Sequence, residues 1–237
     1  MNNPVGTETD VKRLRIFCDF DGTTAVNDVG DLFFQTFAGK ERWQETVDRY
    51  IRGEITSKEY LEEICAASRF DSREFERLLS QQTVDPHFPQ FVRYCRQRGY
   101  PVTVLSDGLD IYIRRVLAKA GLEDVEFYSN KAVLLDGGVI VPELPYHGIE
   151  CDECANCKGY HIRRLREDGD FAVFVGDGIS DRHGVEAADY IFAKGPLQDW
   201  CRENGYAFEP YTTFLDVLRG VQRLECRLGL GADGCDG

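Results

Sequence analysis

Residues 14–24 read Leu14-Arg15-Ile16-Phe17-Cys18-Asp19-Phe20-Asp21-Gly22-Thr23-Thr24, and this stretch decides the architecture. Four of its first five residues are apolar and the run is short and β-favouring; the Asp, Gly and Thr residues that follow make the chain leave that run abruptly. A buried strand emptying into a polar loop is predicted. Three further units repeat the plan. Val102 to Leu105 leads into Ser106-Asp107-Gly108 and the helix-periodic Ile111 to Ala120, Phe171 to Val175 leads into Gly176-Asp177-Gly178 and Asp181 to Ala188, and Tyr190 to Ala193 is a fourth apolar run. Strands alternating with helices predict an α/β fold with a doubly wound, mostly parallel sheet. Ligands of such sheets bind beyond the carboxyl ends of the strands, so the loops carrying Asp19, Ser106 and Asp177 should share one edge.

Outward from this frame, the segment from about Asp28 to Asp85 turns helical and charged. Periodicity predicts helices over Asp31 to Phe37, Glu41 to Ile51, Ser57 to Ala67 and Ser72 to Leu79, with Thr56 or Ser57 and Glu59 starting the third and Gly53 dividing two of them. A crossover needs one helix and this insertion offers four, so it reads as a small helical cap. Lys131 to Pro142 alternates around Asp136-Gly137-Gly138 as a β-hairpin would. The expected division is a main domain over 13–27 and 86–225, a cap over 28–85 and a flexible tail over 226–237, whose end is rich in Gly and Asp.

The 237 residues hold 28 Lys plus Arg against 41 Asp plus Glu, a formal net charge of -13, which repels polyanions and argues against nucleic acid or an anionic membrane surface as a partner. There is no apolar stretch of membrane-spanning length and the N-terminus is polar, so a cytoplasmic protein is expected. The lid pattern has no heptad seam and is silent on oligomeric state. Nine cysteines is an odd number, and Cys18, Cys65 and Cys95 sit singly in apolar runs, as buried thiols do.

Asp19 and Asp21 are two apart at a strand end, so their side chains should point to one side. A divalent cation would relieve their repulsion, with Asp177 adding a third oxygen for a hard metal such as magnesium. A carboxylate held against a cation and a phosphate can act as nucleophile while its neighbour handles the proton. An ordinary acidic turn is the bland alternative. Ser106 could equally cap the helix starting near Leu109, Lys158 could be a solvated residue with Lys131 as its rival, and Asp181 could be an acid of the first helical turn.

Asp19-Phe20-Asp21-Gly22-Thr23 resembles the first signature of the haloacid dehalogenase superfamily, and three more signatures follow in order. Ser106 after its strand resembles the second, Lys158 before a helix the third, and Gly176-Asp177-Gly178-Ile179-Ser180-Asp181 the fourth. The resemblance spans about Ile16 to Asp181 and implies a Rossmann-like core and phosphate-ester chemistry, because dehalogenases of the superfamily lack the second carboxylate that Asp21 supplies. It implies that Asp19 is the nucleophile, forming an aspartyl-phosphate, and that Asp21 is the acid for the leaving alcohol and then the base for water. Asp19, the carbonyl of Asp21 and Asp177 would hold magnesium. Thr23, Ser106, Asp107 and Gly108 would surround the phosphate, with Thr23 steadying the loop. Lys158 would neutralise charge, and Asp181 would hold Lys158 or a metal-bound water.

The cap, the tail after the fourth signature and the Cys-rich stretch before Lys158 are similar to the methionine-salvage phosphatases acting on 2-hydroxy-3-keto-5-methylthiopentenyl-1-phosphate, a sister group of phosphoserine and phosphoethanolamine/phosphocholine phosphatases. The chain departs from them at Asp107-Gly108, where a Gly pair is usual, and at Gly159, where salvage enzymes tend to carry Pro. A small-molecule phosphate ester is the implied substrate. A phosphomutase or phosphotransferase, or a phospho-ligand binder without turnover, are the competing classes. His147, Cys151, Cys154 and Cys157 have the two-residue gaps of zinc knuckles, so a structural zinc is one reading and a reduced thiol cluster the other. His87, His161 and His183 read as scattered surface or core residues. Phe33, Phe34, Trp43 and Tyr50 read as packing within the cap, and Arg42, Arg49 and Arg52 as a solvated helix face.

Overall fold

The computed structural model describes residues 11–230. Seven strands, β1 Arg13–Asp19, β2 Val102–Leu109, β3 Glu126–Leu134, β4 Ile140–Glu143, β5 Asp170–Gly176, β6 Tyr190–Ala193 and β7 Glu209–Pro210, form one sheet in the order β4-β3-β2-β1-β5-β6-β7. All neighbours are parallel except β3 with β4. The alternation along β1 and β5 explains why the sheet is buried on both faces. Leu14, Ile16, Cys18, Val173 and Val175 join one apolar cluster, while Phe17, Ala172 and Phe174 join the other. The first cluster is completed by α5 (Phe88–Gln97), α6 (Asp110–Lys119) and α10 (Phe214–Arg227), and the second by α7 (Lys158–Leu165), α8 (Arg182–Ala187) and α9 (Gly195–Asn204). Each fully buried Phe of these layers contributes about 1.5–3 kcal/mol.

Four helices are inserted in the first crossover ahead of α5: α1 (Val29–Phe37), α2 (Lys40–Ile51), α3 (Ser57–Ala67) and α4 (Ser72–Ser80). Their starts are written in capping side chains. Asp28 accepts from the Asp31 amide, Thr56 and Glu59 form a reciprocal capping box, and Asp71 accepts from the Arg73 and Glu74 amides. The segments that lead into and out of this group run side by side, with Val26 N–H donating to Thr83 O (3.0 Å) and Asp85 N–H to Thr24 O (2.9 Å). Phe33, Phe34 and Phe37 pack the helices together.

Three expectations need amendment. β3 is longer than the predicted hairpin: its first half pairs parallel with β2 and only Lys131 to Leu134 pair with β4. The turn of that hairpin also leans on the cap, since Phe70 N–H donates to Gly138 O (2.7 Å), and a Cβ at Gly138 would meet the Phe70 carbonyl at 2.4 Å. The tail predicted to be flexible from residue 226 begins instead as helix: α10 runs to Arg227, and Leu230 N–H closes onto Glu225 O (3.0 Å). The rest of that tail lies outside the described residues. No helix among the described residues is long and apolar enough to cross a membrane.

Candidate active site

Strand order reverses direction at β1, with β2 on one side and β5 on the other, so Asp19 at the end of β1 and Asp177 just past β5 emerge side by side. The turn Phe20–Thr24 brings the chain back over this edge. Gly22 has φ +72°, and a Cβ there would lie 2.6 Å from Asp177 Oδ2, so only glycine lets the backbone pass this carboxylate. Carboxylate oxygens of Asp19, Asp177 and Asp181 lie within 4.8 Å of one another.

Lys158 opens α7 with its side chain buried and its Nζ between two of these acids. It donates to Asp19 Oδ1 at 2.5 Å and to Asp181 Oδ1. Asp181 Oδ2 accepts the amides of Asp177 (2.9 Å) and Gly178 (3.0 Å), so every oxygen of Asp181 is engaged in holding Lys158 and the Asp177 loop. Burial and the Asp181 charge push the Asp19 carboxyl well above its ordinary range, and the Lys158 ammonium pulls it back. Burial opposes the charge on Lys158, but Asp181 and Asp19 override it and keep the amine protonated. Lys131, the rival ammonium, is exposed on β3.

Asp21 faces a different set of groups. Its Oδ1 accepts the first amides of α1, from Val29 (2.9 Å) and Gly30 (3.0 Å), and Ser106 Oγ donates to its Oδ2 at 3.3 Å. Burial pushes the Asp21 carboxyl up to about 6 against the pull of those amides. Ser106 does not cap α6, whose N-cap is Leu109; its Oγ accepts the Gly108 amide (2.9 Å) beside Asp21. Gly108 is small for a reason, because a Cβ there would overlap Tyr112 Oη at 1.8 Å.

Two residues assigned to the phosphate have other occupations. Thr23 Oγ1 donates to Asp177 Oδ1 (2.8 Å) and so orients that carboxylate. Asp107 is a latch: Oδ2 accepts Ser57 Oγ from the cap (2.7 Å) and Oδ1 accepts the Asn156 amide (2.7 Å), so both oxygens are engaged in tying the cap and the loop before Lys158 to β2. Buried Asn156, which the sequence did not flag, also donates to the carbonyls of Ser106 (2.8 Å) and Tyr128 (3.1 Å) and meets His161 Nε2 at 2.6 Å. Burial and Arg164 push His161 down to about 3, so its ring is neutral and Nε2 donates to Asn156.

The three cysteines converge, but the imidazole among them belongs to His183 of α8. His147 was expected there; its Nδ1 instead lies 3.0 Å from the Cys154 carbonyl. His183, expected as a lone residue, has Nδ1 within 3.2–3.8 Å of all three sulfurs.

A cavity of about 360 Å³ lies between this edge and the cap. Asp19, Asp21, Asp28, Asp31, Asp107 and Asp177 line it, with Lys158 as the only basic side chain among its lining residues. Phe34, Val47, Tyr50, Ile51, Tyr60 and Leu61 form its cap wall, so Phe34 and Tyr50 both pack the cap and face the ligand space. Arg49 and Arg52 are spent on Glu63 and Glu54 at the surface, and Arg42 on Glu45. A cavity with six carboxyl groups and one ammonium disfavours an anion unless a further positive charge enters with it. The donor set fits a magnesium ion on that ground: Asp19 and Asp177 offer converging oxygens, and the Asp21–Gly22 peptide passes alongside.

The family model for haloacid dehalogenase-like hydrolases matches residues 16–186. The chain belongs to this family. Among curated relatives, the 2-hydroxy-3-keto-5-methylthiopentenyl-1-phosphate phosphatase of Brevibacillus brevis is 31% identical over 223 residues, covering 90% of this chain and 97% of that protein. Its counterpart in Geobacillus kaustophilus is 30% identical over 221 residues, covering 90% and 98%. Among solved structures, a phospho-aspartyl intermediate analogue of phosphoserine phosphatase aligns with TM-score 0.68 at 20% identity, covering 88% of this chain and 98% of that one. A phosphoserine phosphatase from T. onnurineus aligns at 0.66, also at 20% identity, covering 92% and 98%. These structures share the fold of the haloacid dehalogenase-like chain.

Proposed function

We propose that the protein is a magnesium-dependent phosphatase for a small phosphate monoester, acting through phosphoryl transfer to Asp19. The observation that carries this reading is the convergence of Asp19 and Asp177 at one strand edge with Lys158 bound to Asp19. Asp19 Oδ attacks phosphorus as the bond to the leaving oxygen breaks, and Asp21 gives that oxygen its proton. Water then attacks the aspartyl-phosphate as Asp21 takes a proton back, freeing Asp19 and inorganic phosphate. A carboxyl group titrating at about 6 can serve both halves near neutral pH. The Lys158 ammonium offsets charge on the transferring group, and the Gly108 amide and Ser106 hydroxyl lie beside Asp21 to bind its oxygens. Magnesium, when bound by Asp19, Asp177 and the Asp21 carbonyl, supplies the positive charge that lets a phosphate dianion enter this acidic cavity.

Stability supplies a test of that ion independent of turnover. Asp19, Asp21 and Asp177 have raised folded-state pKa values, so they bind protons more tightly folded than unfolded. Their contribution to stability is complete below the unfolded carboxyl range near 4 and is lost as pH rises through the folded values, about 6 for Asp21. A cation competes with these protons. Ten-millimolar magnesium is expected to raise Tm by about 3–6 °C at pH 8 and by under about 1 °C at pH 5, for millimolar affinity. Equal shifts at both values, followed by thermal melts, would count against the carboxylates as ligands.

The relatives' substrate also suits the cavity. Its leaving group carries no carboxylate and ends in a methylthio tail that Phe34, Val47, Ile51 and Leu61 can cover. The carboxylate of phosphoserine would instead face Asp28 and Asp31 with no arginine among the lining residues. In a phosphate-release screen with magnesium, kcat/KM for 2-hydroxy-3-keto-5-methylthiopentenyl-1-phosphate is expected to exceed that for phosphoserine by about 100-fold or more. A second reading rests on the acid pair, which could receive the ammonium group of phosphoethanolamine or the quaternary ammonium of phosphocholine. Phosphoethanolamine as the best substrate, with that rate falling about tenfold or more in Asp31→Asn, would establish it instead.

A further inference from the structure

We propose that Cys151, Cys154, Cys157 and His183 bind one structural zinc ion that pins the segments presenting Lys158 and Asp181. Three thiols and an imidazole gain little from touching one another, and the apolar core gives no reason for them to meet. Yet their ligand atoms all lie within 4.8 Å of one another, with His183 Nδ1 at 3.8, 3.2 and 3.8 Å from the sulfurs of Cys151, Cys154 and Cys157. Tetrahedral zinc with ordinary bond lengths separates a sulfur from a nitrogen by about 3.6 Å and two sulfurs by about 3.8 Å. The cluster therefore already has the dimensions of a coordination shell. All three cysteines are free of disulfides.

The loop has the local form of a metal knuckle. The Cys154 amide donates to Cys151 Sγ at 3.4 Å, and the Cys154 carbonyl meets His147, which leaves His147 outside the shell as a support for the loop. Four protein ligands close a tetrahedron, so the ion has no open position and its role is structural.

Its place in the fold gives the role content. Cys157 immediately precedes Lys158, and His183 lies two residues after Asp181. The ion would tie the start of α7 to the start of α8, the two helices whose first turns meet through the Lys158–Asp181 pair. They are already in close contact: a Cβ at Gly159 would lie 2.5 Å from the His183 carbonyl, which accounts for glycine at that position. The magnesium ligands Asp19 and Asp177 form a separate all-oxygen site.

Metal content of the full-length protein, expressed with zinc and purified under reducing conditions without chelator, tests this without reference to turnover. About one zinc per chain is expected, released when a mercurial blocks the thiols. The cobalt-substituted protein should show the near-ultraviolet sulfur-to-metal charge transfer and intense visible bands of a tetrahedral thiolate site. His183→Gln and Cys154→Ser should fall below about 0.2 zinc per chain, while His147→Ala should keep its metal. Wild-type protein with under about 0.1 zinc per chain that also fails to take up zinc or cobalt when reconstituted would overturn the proposal, whatever the variants do. Loss of zinc from His147→Ala with retention in His183→Gln would overturn the ligand set.

Discussion

Asp19→Asn is expected to lower phosphate release by about 10⁴-fold or more while leaving the protein folded. Asparagine keeps the size of aspartate, so the packing at the end of β1 survives. It cannot supply the anionic oxygen that bonds to phosphorus. The Lys158 ammonium keeps Asp181 as a partner, and one of several crowded carboxylates disappears, so Tm should change by no more than about 5 °C. Wild-type enzyme quenched with acid during turnover should carry a phosphoryl group labile to hydroxylamine, as an acyl phosphate is, and the variant should carry none. A role for Asp19 confined to holding the cation predicts a different result, in which excess magnesium restores much of the rate. Recovery to within tenfold of wild type at saturating magnesium would show that another group is the nucleophile.

Why Asp19 was legible is physical. A parallel strand buried on both faces is nearly continuously apolar and stops where the chain meets solvent, so Leu14 and Ile16 to Cys18, interrupted only by Arg15 and followed by Asp19-Phe20-Asp21-Gly22, mark both the strand and its functional end. The cap helices were legible because their apolar residues recur at helical spacing, and the third also because capping is local: Thr56 and Glu59 act on amides three residues away. β3 was not, because its parallel half carries Glu126, Tyr128 and Asn130 and lacks the apolar signature of β1 and β5. β7 has two residues and no pattern to read.

The site residues divide in the same way. Asp107 stands beside Ser106, a position that suggests the phosphate, but its partners are Ser57, fifty residues before it, and Asn156, forty-nine after it. Neither distance leaves a mark in local composition. Asn156 and Tyr112 look like ordinary residues of a loop and a helix until the fold closes over them. His183 is the instructive case. It lies 26 positions beyond Cys157, whereas His147 lies four before Cys151, so local spacing points to His147. A signal was nonetheless present: once Lys158 is expected to meet Asp181, the neighbours Cys157 and His183 must approach as well.

Lys158→Met tests that pairing from the other side and is expected to lower both rate and stability. Methionine matches the length and apolar stem of lysine, so the buried volume is filled. It removes the charge that Asp19 and Asp181 share and leaves two buried carboxylates without a counter-charge, at a cost of about 3–5 kcal/mol, or about 6–20 °C in Tm at pH 8. The pH dependence distinguishes this from poor packing. Without the ammonium the folded-state pKa of Asp19 rises further, so protonation favours folding below the unfolded carboxyl range, and that contribution is lost as pH climbs through the folded value. The gap in Tm between wild type and variant should therefore narrow as pH falls from 8 to 5, and a constant gap would assign the loss to packing. Turnover should drop about 10³-fold, the effect of removing one aimed charge from a phosphoryl-transfer site. Combining the variant with Asp181→Asn removes one orphaned carboxylate and should recover part of the Tm without recovering the rate. Recovery of both would make Lys158 only a counter-ion for Asp181, with no part in stabilising the transferring group.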